Sequence, residues 1–280
     1  MVLSFGEVLM DCFPHKNVIG GAPFNVVVHL KRLGEPAAIL SKIGKDKLGR
    51  EIGALLENEG ISDFLQKDNQ KKTGQVDVTL NNGQPSYNIH QGCSWEFIDF
   101  ESVSSPNYFM FGSLALNFIQ NQNSFKQYRS QFKQSIFVCD LNLRTPFYSE
   151  ESIQLCLESA DILKINDEEL DYLAEKHVQT DVIGWLFKNY GIKKVLLTKG
   201  SKGATLFWDG KVYECKVKPV ANVEDTVGAG DSFTALFLHG LIHKLPFEEC
   251  LERAADFAGI ICTLPGAIPV DKSIYNDFKI

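Results

Sequence analysis

The sequence predicts an α/β fold built on a mainly parallel sheet, and three observations lead there. Short apolar runs alternate with helix-like patterns along most of the chain, the mark of βαβ units. The segment 74–98 breaks that alternation with an antiparallel hairpin signal. No repeat, low-complexity stretch or linker-like boundary divides the 280 residues, a length that one large α/β domain accommodates. The expectation is one domain over 1–280 with a small β-lid inserted in it.

Residues 2–9 read as the first strand. Ala22-Pro23-Phe24 opens a helix with proline near its first position, and Gly34 closes it. A strand over 37–43 and a helix from Asp46 to Asn58, ended by Gly60, follow. Gln75 to Leu80 and Ser86 to His90 flank the turn Asn81-Asn82-Gly83-Gln84; such a hairpin does not join a parallel core and reads as a flap. Tyr108 to Phe111 is a strand, followed by a polar helix near 121–133, a strand from Ser135 to Asp140 and a helix near 150–158. Ile162 to Ile165 is a strand, two helices cross 167–190, and Lys194 to Thr198 is a strand. Ala204 to Trp208 and Lys211 to Cys215 pair through Asp209-Gly210, and helices at 231–244 and 247–262 complete the chain.

Composition removes several function classes. The net charge is −7 with basic residues scattered, which argues against nucleic acid as the main partner, since binding a phosphate backbone needs a basic patch. No run of about 18 apolar residues is present to span a membrane. The N-terminus lacks a basic n-region and carries Glu7, which argues for a strand instead of a signal peptide and for a cytoplasmic protein. The seven cysteines form no Cys-x-x-Cys pair and fit buried reduced thiols better than a disulfide framework or zinc site. His239 and His243 stand four apart on one helix, but Gly240 replaces the Glu of a zincin helix, so ordinary packing or surface histidines are expected.

The chemistry concentrates at Asp225-Thr226-Val227-Gly228-Ala229-Gly230-Asp231. Gly228, Ala229 and Gly230 let backbone N–H groups crowd around an anion at the start of a helix, where the dipole favours phosphate. A carboxylate at Asp231 repels phosphate, so it suits a different role, that of taking the proton of a hydroxyl that attacks phosphorus. The alternative is a plain helix N-cap. No lysine follows the glycines, which excludes a Walker A loop; Gly44 and Gly49 fail the same test, because Arg50-Glu51 follows them. Lys42, just before, reads as either a substrate contact or a solvated lysine.

Four other strings are candidates. Gly20-Gly21-Ala22-Pro23-Phe24-Asn25 allows close backbone approach, and Asn25 offers a donor and an acceptor to a hydroxyl pair; a tight turn is the alternative. Asp140, Asn142 and Arg144 alternate at a strand's C-terminal end, where period-2 spacing places them on one face and where open parallel sheets bind ligands. Arg144 suits a phosphoryl group; a turn braced by Asp and Asn is the alternative. Asn166-Asp167-Glu168-Glu169 reads as an N-cap followed by first-turn acids. Thr198-Lys199-Gly200-Ser201-Lys202-Gly203 is a glycine-bearing loop after a strand.

Together these strings resemble the ribokinase-like (PfkB) carbohydrate kinases, in the family's order and over nearly the whole chain. Gly20–Asn25 and Asp140–Arg144 look most like the fructokinase branch. The resemblance implies a doubly wound core of about nine strands, with lid strands near 12–19 and 74–98. It implies that Asp11, Gly21, Asn25, Asn142 and Arg144 contact sugar, and that Asp231 is the base beside the Gly228–Gly230 anion loop. It further implies that Asn166, Thr198, Gly200, Gly203 and Gly228 lie along ATP, with Asn222 and the stretch from Ala258 to Ala267 bordering adenine. Glu169 is implied to hold Mg²⁺ through water, and Asp225 with the Val227 carbonyl to hold K⁺. The expected activity is ATP-dependent phosphorylation of a sugar hydroxyl, fructose to fructose 6-phosphate. The alternatives are 2-keto-3-deoxygluconate, ribose, or a non-catalytic sugar sensor. A homodimer through the lid is compatible with the exposed-looking Tyr87, Ile89, Trp95 and Phe97.

Overall fold

The computed structural model describes residues 1–14, 16–81 and 84–280. Its strands are β1 (Val2–Phe5), β2 (Leu9–Cys12), β3 (Asn17–Gly20), β4 (Ala37–Gly44), β5 (Phe64–Asp68), β6 (Gly74–Asn81), β7 (Gln84–Ile89), β8 (Tyr108–Gly112), β9 (Ile136–Asp140), β10 (Ile162–Asn166), β11 (Lys194–Thr198), β12 (Ala204–Trp208) and β13 (Lys211–Cys215). Its helices are α1 (Ala22–Arg32), α2 (Lys47–Glu59), α3 (Ser113–Leu116), α4 (Ile119–Gln131), α5 (Glu150–Ser159), α6 (Asp167–His177), α7 (Val182–Tyr190), α8 (Ala229–Ile242) and α9 (Phe247–Ile261).

Nine strands form one sheet in the order β13-β12-β11-β10-β9-β8-β1-β4-β5. From β11 to β5 every neighbour is parallel, and the antiparallel pairings of this sheet are β11 with β12 and β12 with β13. The chain leaves β1 toward β4 and β5, then returns to its other side with β8. That reversal at β1 is the switch point where an open α/β sheet forms a crevice beyond its strand ends.

Alternation within the strands divides the core between the two faces. Leu3, Phe5, Phe109, Phe111 and Leu163 pack with α4 to α7 through Phe125, Tyr128, Leu157, Leu173 and Leu186. Val2, Ile39, Met110, Val138 and Ile162 face the other way, against α1, α2 and the Ala235–Leu238 side of α8. A neighbouring cluster joins α8 and α9 to β11 and β12. The sheet is therefore doubly wound, as the resemblance implied.

Local signals explain the element ends. The Asp46 side chain accepts from Gly49 N at the start of α2, and Gly60 closes that helix at φ 67°. Asp209 and Gly210 both have positive φ, as a two-residue turn between β12 and β13 requires.

Three sequence expectations need correction. The single strand over 2–9 is two strands, because at Gly6 the first turn of α1 comes so close that a Cβ would lie 2.7 Å from Pro23 Cγ. The chain turns there out of the main sheet into a second one, ordered β3-β2-β6-β7, in which β2 and β6 run parallel and the outer pairs antiparallel. The edge strand β5 was not expected, since Phe64-Leu65-Gln66-Lys67-Asp68 has no clean alternation. Trp95, expected on an exposed lid face, is 1% exposed and packs edge-on against Phe118 at 5.2 Å. The turn residues Asn82 and Gly83 and the Tyr87 side chain lie outside what is described. No helix among the described residues is long and apolar enough to cross a membrane.

Candidate active site

The candidate residues come from the first turns of α1 and α8 and from the C-terminal ends of β9, β10 and β11, with β2 alongside. α1 and α8 pack together and start side by side. At that start Asn25 Nδ2 donates to Asp231 Oδ2 at 2.7 Å. Asn25 is buried, and its other polar atom, Oδ1, is enclosed without a protein partner among the described residues. A buried acceptor left unpaired costs about 1–3 kcal/mol, so the position invites a ligand donor. Asp231 is closely surrounded by protein, and burial pushes its carboxyl up to about 6 against the opposing effect of Asn25.

The loop before Asp231 is held by its own first residue. Asp225 Oδ1 accepts from Val227 N at 2.9 Å, and Oδ2 accepts from Gly266 N at 3.3 Å. Ala229 N donates to Thr226 O at 3.3 Å. The Ala229 N–H, one of those expected to cradle an anion, is thus engaged inside the loop, as is the neighbouring Val227 N–H. Ser232 N makes the first helical bond, to Gly228 O at 2.8 Å, so the N–H groups of Gly230 and Asp231 lie ahead of the helical ladder. Gly228 has φ 77°, and a Cβ there would lie 2.5 Å from Ala267 Cα. Both facts reserve the position for glycine.

Asp11 sits on β2, with burial raising its carboxyl to about 6 and the Arg144 charge opposing that rise. A Cβ at Gly21 would meet Glu7 O at 2.5 Å, and one at Gly20 would meet Asp11 Oδ2 at 2.5 Å. The glycine pair thus lets the chain enter α1 against two acids. One of them, Glu7, is a residue that sequence reasoning missed. It is 5% exposed, and burial raises its carboxyl to about 7, with Asp231 adding to the rise. The signal was an acid inside an otherwise apolar strand run.

The expectation of one face bearing Asp140, Asn142 and Arg144 fails. β9 ends at Asp140, and Asn142 adopts φ 43°, so strand alternation does not continue. Asp140 is buried and receives both hydrogen bonds of a pair from Lys164 Nζ, at 2.9 and 2.8 Å. Asn142 lines a small cavity together with Asp140 and Glu7. Arg144 is exposed, and its charge acts on Glu7, Asp11 and Asp231. Lys164 is the second missed residue. It pairs in register with Asp140 across β9 and β10, and its ammonium lies 3.6 Å from where a Gly230 Cβ would stand. A lysine inside Ile162-Leu163-Lys164-Ile165 was its signal.

Asn166 and Glu169 form a reciprocal capping box on α6, at 2.8 and 2.9 Å. Glu169 Oε1 also accepts from Leu143 N at 2.7 Å. Burial raises its carboxyl, with Asp140 adding to the rise. The register of β10 with β11 sets Asn166 beside Thr198. Gly200 and Gly203 shape the next loop at φ 53° and 101°. Lys42 meets neither of its alternatives: it is buried, with Nζ 2.7 Å from Asp99 Oδ2 and 2.9 Å from Phe97 O.

A family model described as "pfkB family carbohydrate kinase" matches residues 2–273. A chloroplastic protein of Arabidopsis thaliana named as probable fructokinase-6 is 30% identical over 96% of this chain and 79% of its own length. The solved structure of a fructokinase with bound ATP from Xylella fastidiosa superposes with a TM-score of 0.87, covering 95% of this chain and 93% of that one at 21% identity. A Vibrio cholerae fructokinase double mutant with fructose, ADP and potassium ion bound gives 0.83, covering 100% and 98% at 23% identity.

Proposed function

Since the chain belongs to the pfkB family of carbohydrate kinases, we propose that it transfers the γ-phosphoryl group of ATP to fructose, giving fructose 6-phosphate. The observation that carries this reading is the Asn25–Asp231 hydrogen bond at the start of α8. It places a carboxylate of raised basicity beside an unpaired buried acceptor and next to free helix-start N–H groups. Fructokinase names among the relatives support the sugar, and ATP in the Xylella structure supports the donor.

On this reading Asp11, Gly21, Asn25 and Asn142 surround the sugar, and Asn25 Oδ1 accepts from one of its hydroxyls. The attacking hydroxyl faces Asp231, which orients it and accepts its proton as the O–P bond forms. The helix dipole and the N–H groups of Gly228, Gly230 and Asp231 stabilise the equatorial oxygens of the phosphoryl group. Asn166, Thr198, Gly200 and Gly203 line the nucleotide. β2, β3, β6 and β7 act as the lid that excludes water, which otherwise competes with sugar as acceptor.

The donor set fits a divalent ion held mainly by phosphate and water. Each Glu169 oxygen accepts one backbone N–H, from Leu143 or Asn166, and keeps a lone pair that a water on the ion can donate to, whereas both Asp140 oxygens accept from the Lys164 ammonium. Glu169 would therefore contact Mg²⁺ through water, and the ion would supply charge neutralisation on the phosphates. Each Asp225 oxygen accepts one backbone N–H and keeps a lone pair, which suits a K⁺ site shared with the Val227 carbonyl.

Arg144 favours one second reading. An exposed guanidinium whose charge acts on Asp11 suits the carboxylate of 2-keto-3-deoxygluconate as well as it suits a phosphoryl group. ATP consumption with fructose, ribose, 2-keto-3-deoxygluconate and adenosine decides between these substrates. Turnover with fructose that is lost in Asp231→Ala is expected; turnover with none of the four defeats the proposal.

A further inference from the structure

Beyond sugar phosphorylation, we propose that the far end of the α1–α8 pair is a binding site for a transition-metal ion of the zinc type, held by Glu35, His239 and His243. Asn25 and Asp231 join the N-terminal ends of these two helices. At the other end Glu35, three residues beyond α1, meets two histidines on the last turn of α8 and just past it. Nδ1 of His239 and Nε2 of His243 both lie 2.7 Å from the same Glu35 oxygen, Oε1. The ligand atoms of all three residues fall within 4.8 Å of one another.

That spacing is a small displacement from a coordination shell. A tetrahedral Zn²⁺ with ligand bonds of about 2.0–2.1 Å needs its ligand atoms about 3.3 Å apart. Opening each 2.7 Å hydrogen bond by well under about 1 Å brings the Glu35 oxygen to that separation from both nitrogens, and the two nitrogens, within 4.8 Å of one another, adjust to it as the ion replaces the two shared protons. Two histidines four apart on a helix present their rings on one face. Glu35 adds the third ligand and charge −1, and water fills the fourth position. The His239 and Glu35 side chains are 1% and 8% exposed, whereas His243 is 32% exposed. Entry is therefore from the His243 side.

The same geometry caps the affinity. His239 Nε2 is buried without a partner among the described residues. If Nδ1 takes the metal, the ring proton moves to Nε2 and stays unpaired. That weakens binding roughly 5- to 150-fold relative to a site with its outer N–H satisfied. The expectation is thus a reversible micromolar site and not a permanent structural zinc. Asp231 and His239 are eight residues apart in α8, about 12 Å of helix rise, so this ion is separate from any ion on the phosphates.

The test is titration of the full chain, freed of metal and without nucleotide, with Zn²⁺ followed by calorimetry, and with Co²⁺ followed by visible absorption. Wild type is expected to bind one ion with a Co²⁺ spectrum free of thiolate charge-transfer bands. His243→Ala should weaken binding at least tenfold while sugar phosphorylation in metal-buffered Mg²⁺ stays unchanged. Glu35→Gln should weaken it in the same direction. No uptake by wild type, equal affinity in His243→Ala, or a thiolate spectrum overturns the proposal.

Discussion

Asn25 Nδ2 and Asp231 Oδ2, 206 residues apart in sequence, meet at 2.7 Å and fasten the first turn of α1 to the first turn of α8. The bond gives Asp231 its orientation and leaves Asn25 Oδ1 buried without a partner among the described residues. A base that depends on position for its effect loses it when the carboxylate is removed. General-base contributions are typically about 10²–10⁴-fold. Asp231→Asn should therefore lower kcat by about 10³-fold with the Kd for ATP little changed, measured by steady-state rates and equilibrium nucleotide binding.

Burial raises the Asp231 pKa to about 6, first among its causes, while Asn25 pulls it down. Only the ionised form can accept a proton, so kcat/KM should fall as pH drops through about 6. Asn25→Leu removes the opposing hydrogen bond and should move that limb to higher pH. Stability runs the other way. The folded pKa lies above the ordinary aspartate value of 3.8, so the folded state binds the proton more tightly and loses stability as pH rises from about 4 to about 6. Asp231→Asn should then raise Tm relative to wild type at a pH of about 8 and leave it nearly equal at about 3.5. A Tm gain that is the same at both values contradicts the assignment.

How much of this is readable from the residues alone follows from the range of each interaction. The Asp225–Asp231 string, the capping pair Asn166–Glu169 and the Asp209-Gly210 turn are local, and their residues announce themselves. The doubly wound order is legible because βαβ connections leave few alternatives. Lys164 and Glu7 are not legible: each is one charge in an apolar run, and its meaning comes from partners on other strands. The alternation drawn through Asn142 and Arg144 fails because a single positive φ ends strand geometry, and nothing in Leu141-Asn142-Leu143 demands that value. Trp95 reads as exposed because its cover, Phe118, lies in a distant segment.

The Lys164–Asp140 pair is buried at both ends, 9% and 4% exposed in its side chains. Removing one partner strands the other charge, which typically costs about 3–5 kcal/mol. Lys164→Met should lower the free energy of unfolding by that amount in urea titration. Lys164→Met with Asp140→Leu should recover most of the stability, since no charge is then unpaired. Lys164 also lowers the Asp231 pKa by its charge, so the single variant should shift the acid limb of kcat/KM upward.

Gly228 combines φ 77° with a backbone contact to Ala267. Gly228→Ala must either distort the loop that starts α8 or push away the 266–267 segment, to which Asp225 is bonded through Gly266 N at 3.3 Å. Either response moves the helix-start N–H groups that the proposed mechanism aims at the phosphoryl group. Losing one such donor costs about 10²–10³ in kcat. A loss of at least about 10²-fold is expected, with only a modest change in Tm because the loop is largely exposed. Ala267→Gly added to Gly228→Ala should not restore the rate, since the Ala267 Cα and the left-handed backbone both remain. Full rescue by that second change would show that the methyl contact alone, and not the backbone shape of the anion loop, makes glycine necessary.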